Sequence, residues 1–264
     1  MKIPFIRENE RDFGLNKVPD VTLIFWIIKI LSTTVGETGA DYLAVHVGLG
    51  APVTGAIMLA LLIAALIWQV RKTRHVPWLY WLTVVLLSVV GTQITDALTD
   101  GLGVSLYVST AAFAALLALT FAAWYARERT LSIHTIVTRR RELFYWTAIL
   151  FTFALGTASG DLATEALGLG FTVGAVVFAT LIGMIAAAYA WGANAILTFW
   201  LAYILTRPLG ASLGDLLSQA RTYGGLGLGT ISTSLAFLAV IAALVALLSV
   251  GRHSPMIEQR DVGE

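Results

Sequence analysis

Four segments of the sequence carry the same three residues at the same spacing, and each lies in a strongly apolar run. The segments are FWIIKILSTTVGETGAD, YWLTVVLLSVVGTQITD, YWTAILFTFALGTASGD and FWLAYILTRPLGASLGD. In each, an aromatic residue precedes a Trp, a Gly follows ten residues after the Trp, and an Asp follows fifteen residues after it. The three columns are Trp26, Trp81, Trp146 and Trp200; Gly36, Gly91, Gly156 and Gly210; and Asp41, Asp96, Asp161 and Asp215. The sequence therefore predicts one structural unit that is used four times.

Each unit contains two stretches that are apolar and long enough to cross a bilayer as helices, for which about 20 residues are needed. The eight predicted spans lie near residues 20–45, 51–70, 77–100, 104–126, 142–167, 170–191, 194–218 and 228–250. Only 12% of the residues are charged, against about 25% in soluble domains. We predict an all-α integral membrane protein of eight transmembrane helices, arranged as four parallel helical hairpins with pseudo-rotational symmetry.

The predicted repeats cover about 18–74, 75–138, 139–192 and 193–250 of a single transmembrane domain over 1–264. The Trp, Gly and Asp columns resemble a family of bacterial proteins described as uncharacterised membrane-anchored proteins, which contain four tandem repeats of two transmembrane helices with a characteristic Trp. The resemblance covers residues 18–250. It implies the architecture and a bacterial inner-membrane location, and it implies no activity.

The basic residues predict the orientation. Arg221 is the one basic residue in the loops that follow the Asp column, whereas the opposite loops together with the two tails carry fourteen. Cytoplasmic loops of membrane proteins carry the excess of Lys and Arg. We therefore expect both tails, 1–17 and 251–264, to be cytoplasmic.

Several functional classes find no support in the composition. The chain has no Cys, which excludes disulfides and thiolate sites, and its formal net charge of +1 gives no basic face for nucleic acid. We found no HExxH motif, no GxGD motif and no Ser-His constellation, so we predict that the protein is not an enzyme. We also predict no cofactor, and the oligomeric state is left open.

Seven acidic residues fall within or at the ends of the first helix of each repeat. They are Glu37, Asp41, Asp96, Asp100, Asp161, Glu165 and Asp215. Three pairs are spaced four residues apart, which places both carboxylates on one helix face. A lone charge at bilayer depth costs at least about 2.5 to 3.5 kcal/mol. The acids must therefore be paired, protonated, bound to a cation or in contact with water.

Carboxylate oxygens without thiolates or a His cluster suit Mg²⁺, Ca²⁺ or Mn²⁺ as ligands. The polar residues Thr38 and Gln93 lie beside the acids as supporting groups. Arg207 and Lys29 lie within predicted spans and are candidate counter-ions. For Lys29 we favour the alternative in which its side chain extends to the cytoplasmic interface.

The Asp column also has a structural interpretation, in which each Asp binds backbone groups at the start of the next helix and stabilises its hairpin. The Trp column is expected to anchor the helices at the membrane interface. The Gly column lies about 140° round the helix from the Asp column, so we expect it to be a helix-packing face.

Our leading functional hypothesis is a secondary transporter that exchanges a divalent metal cation for protons at these carboxylates. An organic-cation exporter with an aromatic wall is the first alternative. An ion channel and a non-transporting membrane sensor or assembly protein are the others. The expected partners are thus a metal cation, protons and the lipid bilayer.

Overall fold

The computed structural model describes residues 16–45 and 50–251 of the chain. Eight helices within these residues are long and apolar enough to cross a membrane, and no strand occurs among them. They are α1 (Leu23–Val45), α2 (Ala51–Arg71), α3 (Pro77–Asp96), α4 (Leu106–Glu128), α5 (Arg139–Asp161), α6 (Gly170–Ala190), α7 (Ala195–Ser218) and α8 (Thr230–Gly251). The predicted all-α fold with eight candidate spans is confirmed.

Local signals set the helix boundaries. The side chains of Ser105, Thr138 and Asn194 accept hydrogen bonds from backbone N–H groups at the starts of α4, α5 and α7, as N-cap residues do. The helices α3 and α5 each continue as one π-helical turn, Ala97–Gly101 and Leu162–Ala166. These turns directly follow the repeated Asp, and π-helical turns are frequent at functional sites.

The eight helices form an inner and an outer set. In α1, α3, α5 and α7, 56–67% of the residues in the candidate span are buried, against 17–22% in α2, α4, α6 and α8. The four inner helices contact one another in the order α1, α3, α5, α7, and α7 contacts α1. The inner helices therefore form a closed ring, and the outer helices present most of their apolar surface outwards.

A close helix contact recurs at each step around this ring. Each Gly of the repeat lies against the residue seven places after the Trp of the next repeat. The contacts are Gly36 with Ser88, Gly91 with Phe153, Gly156 with Arg207 and Gly210 with Thr33. A Cβ atom on any of these glycines would overlap its neighbour, so Gly permits the close approach. The predicted packing role of the Gly column is confirmed.

Each outer helix packs mainly on the inner helix of the following repeat rather than on its own. The extensive contacts are α2 with α3, α4 with α5, α6 with α7, and α8 with α1, whereas α1 and α2 of the first repeat touch only slightly. The two helices that adjoin in sequence are therefore not the two that pack most closely. The last outer helix completes the arrangement by covering the first inner helix.

The repeated Trp residues lie inside the bundle, at the end that we call the Trp end. Trp81, Trp146 and Trp200 are buried, and they pack with Tyr80, Tyr145 and other aromatic rings. The prediction of interfacial anchors is wrong for these three residues. Their indoles fill the space between helices, which a large aromatic side chain does well.

A strap formed by residues 16–18, together with the loop between α4 and α5, covers the Trp end. The Lys17 ammonium donates to Glu142 Oε2 at 2.6 Å and to the Val70 carbonyl at 3.2 Å. The Lys17 N–H donates to the Ile136 carbonyl at 3.1 Å, and the Trp200 indole donates to the Leu131 carbonyl at 3.0 Å. Lys17 thus links α2, the α4–α5 loop and α5.

Candidate functional site

A buried arginine lies at the centre of the inner ring. Arg207 Nη2 on α7 donates to Glu37 Oε2 at 2.5 Å, to the Thr157 hydroxyl at 2.8 Å and to the Thr92 hydroxyl. Its Nη1 donates to the Thr33 carbonyl at 3.3 Å. The Arg207 side chain is fully buried and Glu37 is 7% exposed. Helices α1, α3 and α5 therefore all contact one guanidinium group from α7.

The three side chains that accept hydrogen bonds from Arg207 occupy one column of the repeat. Glu37, Thr92 and Thr157 each lie eleven residues after the Trp of their repeat, and the fourth repeat has Ala211 there. Sequence reasoning missed Thr92 and Thr157. Reading the column that contains Glu37 across the four segments would have found them.

Direct contacts within the protein, rather than solvent, compensate the charge of Arg207 at this centre. A guanidinium group in an apolar bundle is tolerated when a carboxylate neutralises it and polar acceptors take its N–H groups. Glu37 supplies the charge, and two hydroxyls and one carbonyl supply the acceptors. The Arg207 Nε atom has no hydrogen-bond partner among the described residues, so one donor of the guanidinium remains unused.

A second buried cation, Lys29, lies two helical turns before Glu37 on α1. Its Nζ atom is 4.2 Å from the ring centroid of Phe153 and 4.2 Å from that of Tyr203. The side chain is fully buried and its Nζ atom has no hydrogen-bond partner within the described part of the chain. The alternative in which Lys29 extends to the interface is therefore wrong. Two aromatic faces stabilise the ammonium instead.

The remaining acids lie beyond Arg207, towards the end of the ring that we call the Asp end. Asp215 is 9% exposed, Asp96 and Asp161 are half-buried, and Asp100 and Glu165 are exposed. The acids therefore range from buried to solvent-exposed along the bundle. The side chain of Asp41 lies outside the described residues, so its position is not assigned.

Acids from three repeats lie within electrostatic range of one another. Asp161 interacts with the charges of Glu37, Asp96 and Glu165, and Glu165 interacts with Asp100 and Glu37. The carboxyl groups of three repeats are therefore gathered between Arg207 and the Asp end of the ring.

The polar neighbours of the acids are only partly satisfied. The Thr38 hydroxyl is hydrogen-bonded to that of Ser234 on α8 at 2.6 Å. Gln93 Oε1 and the hydroxyls of Ser212 and Ser218 are buried and have no hydrogen-bond partner among the described residues. Buried polar atoms normally find a partner, so these oxygens are available to water or to a bound cation.

The acids whose side chains the structure describes are not drawn together into a cluster of metal ligands in this arrangement. Within residues 16–45 and 50–251, no group of three or more His, Asp or Glu side chains could hold a metal ion. Glu37, the innermost acid, is already bound to Arg207. A metal ion that used Glu37 would have to displace the guanidinium group.

The family of the chain follows from the four repeats. The family model described as Repeat of Unknown Function (DUF347) matches residues 24–75, 79–130, 144–193 and 198–254. The chain belongs to the DUF347 family. No curated protein and no solved structure matches the chain significantly. The four DUF347 matches confirm the fourfold repeat inferred from the Trp, Gly and Asp columns.

The central charges are not shared by the four DUF347 repeats. The Asp column occurs in every repeat, whereas Lys29 and Glu37 occur in the first and Arg207 in the fourth. The repeat therefore supplies the ring and its outer acids, and two individual repeats supply the charges on the axis. A repeated scaffold thus contains charges that are not repeated.

Proposed function

We propose that this DUF347 protein is a secondary transporter that moves a divalent metal cation, of the Mn²⁺, Mg²⁺ or Ca²⁺ type, in exchange for protons. The observation that carries the proposal is the contact of Arg207 with Glu37 on the axis of an apolar helix ring, next to converging acids. Such intramembrane charges are expensive to maintain and are typical of transport pathways.

The proposed setting is a bacterial inner membrane with both termini cytoplasmic and four parallel hairpins related by pseudo-rotation about the membrane normal. Two features support it. The Gly contacts use the same two repeat positions at every step of the ring, and the basic residues cluster towards the Trp end of the sequence repeats. The acids would then face the periplasmic side.

Arg207 acts in this proposal as a resident counter-ion. In the observed arrangement it neutralises Glu37, so the empty pathway contains no unpaired carboxylate at its centre. An incoming cation attracted to Asp96, Asp161 and Asp215 competes with the guanidinium for Glu37. Cation binding and the Arg207–Glu37 contact are thereby mutually exclusive, which is the property that an alternating cycle needs.

Protons enter the cycle at the same acids. Carboxylates that lie close together favour sharing a proton, because the second negative charge is costly. A cation that binds the acids displaces that proton, and its departure allows the proton to return. Proton and metal ion therefore use one set of carboxylates in turn, and the exchange needs no second binding site.

The test is uptake into proteoliposomes that contain the purified protein. Mn²⁺, Mg²⁺, Ca²⁺, Zn²⁺ and Ni²⁺ are offered in turn while the lumenal pH is recorded, for the parent and for Asp161→Asn and Glu37→Gln. We expect metal entry with opposite proton movement in the parent and its loss in both variants.

The matched control is Asp20→Asn, which makes the same chemical change at an exposed acid outside the helices. It should transport like the parent. If no metal moves in the parent, or if the axial variants transport as well as Asp20→Asn, the metal-exchange proposal is wrong.

One observation favours an organic ammonium ion as the substrate instead. The Lys29 ammonium rests between the faces of Phe153 and Tyr203, so the axis already stabilises an amine by cation–π contact. Uptake of tetramethylammonium by the same proteoliposomes, lost in Glu37→Gln and unaffected by Mn²⁺, would support this second candidate.

A further inference from the structure

A groove runs along the outer surface between α4 and α5. It has a volume of about 450 Å³, and it is lined by apolar side chains such as Leu116, Phe144 and Phe151 and by the small Ala123. From Arg140 to Phe151 the helix rises about 16 Å. The groove therefore has the length and the apolar lining to hold an extended hydrocarbon chain.

One end of this groove is strongly basic. Arg140 lines the groove itself, and the residues that end α4 and begin α5 supply more guanidinium groups. These arginines are Arg127, Arg129, Arg139, Arg140 and Arg141. Glu128 is paired with both Arg140 and Arg141, while Glu142 is paired with Lys17. Five arginines against one glutamate leave an excess of four positive charges.

The exposure of these groups leaves them available to a ligand. Arg127, Arg129, Arg139 and Arg140 are exposed, and the Arg140 side chain is 64% exposed although it contacts Glu128. The groove and the basic cluster share the same two helices, so a molecule with an acidic head and an apolar tail can contact both at once.

We propose that the α4–α5 groove is a binding site for an anionic phospholipid. The acyl chain lies along the groove past Ala123 and Thr147, and the phosphate contacts Arg140, which lines the groove, and its exposed neighbour Arg139 at the start of α5. Charge complementarity decides the occupant, because basic pockets beside transmembrane helices bind anionic headgroups. A zwitterionic lipid fills the same groove without using the charge excess.

The experiment measures binding of dioleoyl phosphatidylglycerol and dioleoyl phosphatidylcholine to the delipidated full-length protein in detergent, by native mass spectrometry. The parent is expected to bind phosphatidylglycerol more tightly. Each basic residue near a headgroup contributes about fivefold in affinity. The variant Arg139→Gln/Arg140→Gln should therefore lose about 25-fold and approach the affinity for phosphatidylcholine.

A charge-matched control is Arg71→Gln/Arg74→Gln, which removes two exposed arginines from another loop at the Trp end. It should retain binding. A groove variant, Ala123→Phe, places a bulky side chain in the lining of the groove and should weaken binding of both lipids. Arg71, Arg74 and Ala123 are all exposed, and folding is checked by gel filtration and thermal unfolding.

Three results of the lipid-binding measurements would overturn the proposal, and a competition result would be a fourth. They are equal affinity of the parent for the two lipids, equal loss in the Arg71/Arg74 control, and unchanged binding in Ala123→Phe. Glycerol 3-phosphate, which carries the phosphate without a tail, is added as a competitor. Displacement at the concentration at which phosphatidylglycerol binds would assign the site to a free phosphate and exclude the lipid. None of these measurements depends on transport.

Discussion

At the scale of single residues, the contact between Arg207 and Glu37 decides how the centre of the bundle behaves. Both groups are buried, so each depends on the other for neutralisation. Removing one partner leaves an uncompensated charge in an apolar environment, whereas removing both leaves none. The pair is therefore energetically acceptable only when both of its charges are present.

Arg207→Met is expected to lower the free energy of unfolding by about 3–5 kcal/mol, because Glu37 remains buried without its cation. Glu37→Met should cost a similar amount for the converse reason. The double variant should lose clearly less than the sum of the two. Chemical unfolding in detergent, followed by circular dichroism, measures all three, and additive losses would show that the two side chains are not coupled.

The sequence allowed only part of this centre to be predicted. Arg207 and Glu37 stood out because charges are rare in apolar runs. Thr92 and Thr157 did not, since a hydroxyl in a membrane helix commonly bonds to its own backbone, as both also do here. The position of Lys29 depends on Phe153 and Tyr203 from other repeats, and no local pattern reports such a contact.

At the scale of helices, the inner ring depends on glycines that allow two backbones to approach. Gly36 is the clearest case, because a Cβ atom there would overlap both the side chain and the backbone of Ser88. Backbone atoms cannot move aside without shifting the whole helix. The tolerance of the ring for an added methyl group is therefore low.

Gly36→Ala is expected to destabilise the protein by about 1–3 kcal/mol through overpacking. Gly55→Ala on α2 is the matched control, since no atom lies within 4 Å of its added Cβ. There, Ala should leave stability unchanged or raise it by about 0.5–1 kcal/mol, because Ala favours the helix. Thermal unfolding of the two variants side by side tests the difference, and equal melting temperatures would contradict the packing argument.

The strap at the Trp end leads to a second prediction at the scale of helices and loops. Lys17→Met removes the ammonium that links Glu142 and the Val70 carbonyl, so the α4–α5 loop should open more often. Trypsin should then cleave at Arg139–Arg141 several-fold faster than in the parent.

Lys72→Met is the control for this experiment, since Lys72 contacts Trp68 and lies in another loop at the same end. Its loop cleavage should match that of the parent. Rates in Lys17→Met no higher than in this control would show that the strap does not hold the loop.

Local sequence signals predict where the helices lie, but they do not predict which helices pack together. Apolar length and N-cap residues such as Ser105 and Asn194 predict where helices begin. A hairpin in sequence suggests that α1 packs with α2, yet α1 is covered by α8. The buried Trp column misled for a related reason, since Trp beside basic loops is typical of an interface and burial depends on partners distant in sequence.

At the scale of the whole molecule, the bundle is circular in its contacts although the chain is linear. Each outer helix belongs to one repeat and covers the next, and α8 closes the sequence of contacts on α1. Any two neighbouring repeats therefore need a helix from another repeat to complete their packing. The fourfold repeat allowed a cyclic arrangement to be predicted. It did not predict that each outer helix packs on the inner helix of the next repeat.

A circular permutant tests this closure. A chain that begins at Asn194, continues through a linker that joins the original ends, and stops at Ala193 retains every helix contact. It should melt within about 5 °C of the parent. A second permutant with the same linker, opened between Ile133 and His134, interrupts the loop that covers the Trp end and should melt lower. Equal decreases in melting temperature in the two permutants would argue against contacts that close the ring.

The exchange of outer helices also bears on how such a protein could have evolved. Four separate hairpins of identical sequence could assemble the same ring, but every axial side chain would then be present four times. Four arginines in place of Arg207 would repel one another, and four glutamates would do the same. In a single chain each copy can differ from the others, so that restriction does not apply. One arginine facing one glutamate is an arrangement that four identical hairpins cannot have.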